Sequence, residues 1–433
     1  MRESSAWTSY KEKIHSLSVR LVEAQRPIRV RDAIKWDDQI EAHVIQSKFK
    51  KLPEVTVEYY REKRALPFDP ARKIEEFESI KRDVIRLVGE EDALAKIILR
   101  NCNEYQDTVR MLEGRGAPAF YEYSKKLYGS PKDQFEGDTT TLRELGLLLY
   151  DILSHIPEDG LGAYYPKVLT AEQVVEQLNA RFKKFFHDDV VVAKLDDGII
   201  SDAAAGGDYV KIRRGVLFSE KELDLLEVHE GWVHVGTNLN GGTQRVATWL
   251  AKGPPCTTAI QEGLAVLMEV ITFTTTPSRA KKLNNRILAC DKVEDGANFL
   301  DICEFYRTEG YSEKECLIAA TRVFRGALPT GGSPFTKDIT YCKGFIMSYN
   351  FLRTAIRFGR PELIPFLFCG KVTLDDVPVL YRKYREGVID KPHYLAPHFR
   401  DLNGLAMWMA YSNFFNRVNL NTIQERYRAT MAM

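Results

Sequence analysis

Two histidines, His229 and His234, enclose a glutamate in the string HEGWVH, residues 229 to 234. Imidazoles and carboxylates are the donors that hold zinc in hydrolytic sites, where three protein ligands leave a fourth position open and a nearby base takes a proton from water. His229 and His234 are therefore candidate ligands, and Glu230 is the candidate base. The spacing poses a geometric problem. Zinc-peptidase helices carry this pair as HExxH, four residues apart on one face, whereas a separation of five in an α-helix places the rings about 140° out of register. Two arrangements would restore a common face. One is a π-bulge between 230 and 234, eased by Gly231; the other is a helix that ends near Val233, so that His234 enters from a turn.

A third ligand has to arrive from elsewhere in the fold. TTAIQEGLAVLMEV, residues 257 to 270, supplies Glu262, 28 residues after His234. Its neighbours Ile260, Leu264, Ala265, Val266 and Leu267 suggest a helix packed in the core, where a carboxylate is costly without a partner. Glu269, seven positions on and close to the same face, competes for the role. A di-iron bundle would need Glu-x-x-His pairs on two helices, and no second copy is present.

The elements that must position these residues are legible in outline. SEKELDLLEVHEGWVH opens with a Ser219-x-x-Glu222 capping box and runs into the motif as one helix. Before it, TAEQVVEQLNARFKKFF reads as a helix capped by Thr170. The stretches DVVVAKL, GIISDAAAGG and DYVKIRRGVLF follow it and read as a small antiparallel sheet. Residues 71–88, 91–112 and 141–153 repeat apolar residues at helical spacing. We divide the chain into an N-terminal helical region, 1–165, and a region carrying the motif, 166–433, and expect an α+β, mostly helical fold. Lys plus Arg (61) nearly balances Asp plus Glu (60), which gives no bulk attraction for nucleic acid or a membrane surface, and no stretch is long and apolar enough for a membrane span. Seven scattered cysteines without a CxxC pair argue against both a disulfide framework and a cysteine zinc site, so a cytoplasmic protein is expected.

HEGWVH followed by QEGLA resembles the microtubule-associated tyrosine carboxypeptidases and their bacterial relatives, the flavohaemoglobin expression-modulating QEGLA-motif proteins. The likeness extends to VKIRRGVLFSEKELDLLEVHEGWVHVGTNLNG, TRVFRGAL and FTKDITYCKGF, and covers the chain from about residue 30 onward. It implies a zincin-like metallopeptidase core with an HExxxH motif. His229, His234 and Glu262 would be the Zn2+ ligands, Glu230 the general base, and a peptide or protein C-terminal tail the substrate. GWV is bulkier than the small residues this resemblance leads one to expect, so Trp232 is expected to reshape a pocket wall.

A peptidase also needs a donor for the oxyanion, here assigned to Tyr341 with Tyr349 behind it. A carboxypeptidase further needs a cation for the substrate's terminal carboxylate. Arg322, Arg325 and Lys343 are the candidates. YVKIRRGVLF is expected to be an edge strand that pairs with substrate backbone, with Arg213 and Arg214 near its end. Two other readings compete with the zinc carboxypeptidase: a zinc amidohydrolase acting on a small substrate, and a non-catalytic binding protein on the same fold.

Overall fold

A computed structural model describes residues 5–156, 165–199, 201–417 and 420–431; the stretch 157–164, beside the expected boundary, lies outside the described residues. The three N-terminal amphipathic stretches form helices Pro70–Leu87, Ala93–Glu113 and Leu142–Ser154. Asp69, Asp92 and Thr141 cap them, each side chain accepting from a backbone N–H of the first turn. Leu17, Leu21, Phe77, Ile80 and Ile98 from this half share one apolar core with Leu264, Leu267 and Phe368. The N-terminal helices and the helix that carries Glu262 thus belong to one continuous apolar core. Among the described residues no helix is long and apolar enough to cross a membrane.

The sheet lies on the other side of the motif. β3 (Ala203–Ala205) pairs antiparallel with β4 (Tyr209–Arg213), and β2 (Val192–Asp196) adds to the far side of β4 in parallel. A separate antiparallel pair joins β1 (Leu169–Thr170) to β5 (Leu217–Phe218). The edge strand differs from expectation. YVKIR is the central strand because Val210 and Ile212, alternating inward, pack into the core shared with helix Ala171–Phe185. β2 and β3 are the edges, and β3, built from three alanines, has small side chains that let it lie close over the motif helix.

That helix runs from Glu220 to Gly242 in three parts: an α-helical start capped by Ser219, a π-helical segment Glu227–Val235, and an α-helical end. Val228 and Val233 face the main core while Leu226 and Val235 face the core under the sheet. A third face is left for the histidines. Gly231 is needed for contact as well as for backbone freedom, since a Cβ there would lie 2.5 Å from the Phe182 ring. The QEGLA helix, Thr258–Ile271, crosses helix Thr340–Arg357 where Gly263 meets Gly344, and a Cβ on either glycine would overlap the other helix's backbone. Gly263→Ala is therefore expected to cost at least the ~1–3 kcal/mol of an overpacked core and to loosen Glu262 beside it. An unchanged urea-denaturation midpoint would show that the two helices part freely.

Glu104 ties the N-terminal helices to the start of the QEGLA helix by accepting from the Cys256 backbone N–H at 3.0 Å. Burial, reinforced by the Asp107 charge, pushes its carboxyl up to about 7 from an ordinary 4.5. Between those values the folded chain binds more protons than the unfolded one, so this group makes stability fall as pH rises. Glu104→Gln should flatten the fall between pH 5 and 7, as read from melting temperatures across that range. Equal slopes for both proteins would sink the assignment.

Candidate metal centre

Hydrogen bonds in a π-helix close five residues back instead of four, so residues five apart come onto one side. His229 and His234 accordingly stand together, ring centres 4.8 Å apart and nearly perpendicular. Glu262 reaches them from the QEGLA helix. Its Oε2 lies 3.4 Å from His234 Nε2 and 3.9 Å from His229 Nε2. The three donor atoms all lie within 4.8 Å of one another. Tetrahedral zinc with bonds of about 2.0–2.2 Å sets neighbouring donors roughly 3.3–3.6 Å apart, so this cluster fits such an ion with small adjustments.

The surrounding groups fix how each donor is presented. His229 Nδ1 is 2.6 Å from Glu269 Oε1. An ionised carboxylate can only accept, so Nδ1 carries the proton and Nε2 turns its lone pair toward Glu262 and His234. Glu269, fully buried, is thus the partner behind the first ligand. Burial alone would raise its carboxyl, but Arg279 and His229 hold it at about 2. Lys337 Nζ takes the other oxygen of Glu262 at 3.1 Å, which leaves Oε2 for the histidines. Against the effect of burial, Lys337 and His234 hold the Glu262 carboxyl well below the usual carboxylate range.

Each letter of QEGLA has a task. Gln261 Oε1 accepts from Thr237 Oγ1 at 2.8 Å and from Lys371 Nζ at 2.7 Å, stapling the QEGLA helix to the motif helix. Glu262 joins the donor cluster, Gly263 permits the helix crossing, and Leu264 and Ala265 are buried in the main core.

The cluster opens on a cleft of about 710 Å³ lined by β3, the motif helix, the QEGLA helix and helices Pro277–Glu294 and Glu313–Phe324. Glu230 faces this cleft, its Oε2 accepting the Ala205 N–H of the edge strand at 2.9 Å. Tyr341 also lines it, its ring centre 6.5 Å from that of His229. Arg322 and Arg213 line it too, but each already holds a carboxylate, Arg322 that of Asp338 by two bonds and Arg213 that of Asp202.

Several expected residues stand elsewhere. Arg325 is not among the cleft-lining residues. It ends its helix with extended backbone and turns toward Phe335. Lys343, two residues beyond Tyr341 and so about 200° round the helix, points to Asp133 and the Tyr128 carbonyl. Tyr349 bonds to Ser412 away from the cleft, and Arg214 lies against Glu172 and Asp197. Trp232 does not line the cleft, because it stacks on Phe185 at 5.5 Å.

Sequence reasoning missed Lys337, Arg279, Arg286 and Lys371, all of which line the cleft. A signal existed for three of them. Arg279 and Arg286 are seven apart in PSRAKKLNNRIL, which brings them to one helix face once Pro277 is read as the helix start, and Lys337 sits one turn before Tyr341.

Fold and site together define a mostly helical protein with a candidate hydrolytic metal centre: two imidazoles and a carboxylate, with a second, positioned carboxylate beside them. Residues 43–417 match the family model described as microtubule-associated tyrosine carboxypeptidase, and the chain belongs to that family. Its relatives are thus carboxypeptidases by description. No curated protein matches the chain.

Proposed function

We propose that the protein is a zinc-dependent carboxypeptidase that trims a peptide or protein C-terminus, with a zincin-like arrangement of helix, edge strand and metal. One observation carries this reading: the His229, His234 and Glu262 donors converge with Glu230 directly beside them at the floor of a cleft. Zinc, when bound there, supplies a Lewis acid and brings the pKa of water toward about 7.

The chain's residues do the rest. Ala205 N–H fixes one oxygen of Glu230 and leaves the other to take a proton from the attacking water and pass it to the leaving amine. The Tyr341 hydroxyl, which has no hydrogen-bond partner among the described residues, is the donor to the oxyanion in this reading. The cleft-facing edge of β3 offers backbone groups to an extended substrate. On the cleft lining, Lys167, Arg213 and Lys282 each hold a local carboxylate.

Elemental analysis of tag-free protein tests the reading. About one zinc per wild-type chain is expected, held about 10–100-fold or more less tightly in Glu262→Gln and retained in Glu230→Gln. Mass spectrometry of peptides with free C-termini should then show loss of the last residue. Absence of stoichiometric metal even after zinc is added back would favour the binding-protein reading, and cleavage restricted to small amides would favour the amidohydrolase.

A further inference from the structure

One end of the cleft holds more positive charge than the protein neutralises. Arg322 binds Asp338 through two bonds, and Arg325 lies 3.9 Å from the same carboxylate. Arg279 is committed to Glu269 and Arg213 to Asp202. Arg286 differs from these. Among the described residues it has neither a hydrogen bond nor an ion pair, and its Nη1 is sealed from water without an acceptor. Its guanidinium lies over the Tyr341 ring at 4.6 Å, and the side chain lines the cleft. A buried N–H with no acceptor carries a desolvation cost that an arriving anion would relieve.

The placement suits one anion in particular. Through the Tyr341 ring, 4.6 Å from the Arg286 guanidinium and 6.5 Å from the His229 ring, Arg286 is linked to the donor cluster by one intervening side chain. A terminal amino acid whose amide lies at the metal extends about one Cα step of ~3.8 Å, and a hydrogen bond adds about 3 Å. Arg286 lines the same cleft as the donor cluster, and the planar fork of an arginine matches the carboxylate of such a residue. We propose, resting on the carboxypeptidase reading, that Arg286 binds the terminal carboxylate of the substrate. Tyr341 supports the guanidinium from below, and the Arg322–Asp338 pair keeps the neighbouring carboxylate from claiming it.

The test separates this inference from the reading beneath it. Glu230→Gln, which binds substrate without turning it over, is titrated by fluorescence anisotropy with one labelled peptide as its free acid and as its C-terminal amide. The acid should bind at least tenfold more tightly. Adding Arg286→Gln should erase the preference, and Arg286→Lys, which keeps the charge but not the fork, should restore part of it. Zinc content and melting temperature confirm that each variant is folded, and Arg286→Lys carries the test if Arg286→Gln is not. An acid preference that survives both substitutions overturns the role of Arg286 and leaves the carboxypeptidase reading standing. Equal binding of acid and amide before Arg286 is touched overturns the role as well, and binding of neither peptide overturns both.

Discussion

Glu230→Gln is expected to lower turnover of a free-acid peptide by roughly 10²–10⁴-fold with its zinc content unchanged. The substitution is nearly isosteric. The amide oxygen can still accept the Ala205 N–H that fixes Glu230 Oε2 at 2.9 Å, so the edge strand and motif helix keep their register. What disappears is the ability to take a proton at the second oxygen. Because that oxygen acts on the attacking water and the leaving amine, the loss belongs to kcat, and KM should move little. A variant that retained a fifth or more of wild-type turnover would place the base elsewhere. Loss of zinc would instead mean that Glu230 shapes the donor cluster itself.

The chemistry was more legible in the sequence than the geometry that serves it. HEGWVH and QEGLA announced themselves because charged and metal-binding types stood in apolar surroundings, where they need a partner. The one-residue excess in the motif allowed two solutions. The nine-residue π segment goes further than the single bulge that was one of them and excludes a helix end near Val233, and the contact of Gly231 with the Phe182 ring is a tertiary fact that no local pattern contains. Glu262 and Glu269 share a helix face, and tertiary partners, Lys337 for the first and Arg279 for the second, accompany their division between the cluster and His229 Nδ1. The cations were hardest to assign. Arg322 and Arg325 are three residues apart, and the end of a helix between them sends one into the cleft and the other toward Phe335. The strand order failed for a related reason. Alternation showed that YVKIR was a strand, but whether β4 lies inside the sheet or at its edge depends on β2, which joins it across a parallel pairing.

Glu269→Ala should be the most damaging change outside the ligands, because one carboxylate serves both the fold and the centre. Its side chain has 0% exposure and accepts from Arg279 as well as from His229. Removing it leaves the Arg279 charge without its partner. Breaking a fully buried pair costs ~3–5 kcal/mol, and the quarter of the Arg279 side chain still exposed should bring this loss somewhat below that range. It also frees the His229 ring to turn and exchange tautomers, which should weaken zinc binding by about 10–100-fold. The two effects can be separated. Arg279→Gln leaves Glu269 against His229 and should lower the urea midpoint with a smaller change in zinc affinity, whereas Glu269→Gln keeps an acceptor for Nδ1–H and should fall between wild type and Glu269→Ala in both measurements. Zinc binding by Glu269→Ala as tight as in the wild type, measured by competition with a chromophoric chelator, would mean that the motif helix alone sets the orientation of His229. In that case the 2.6 Å contact would contribute to stability without tuning the metal centre.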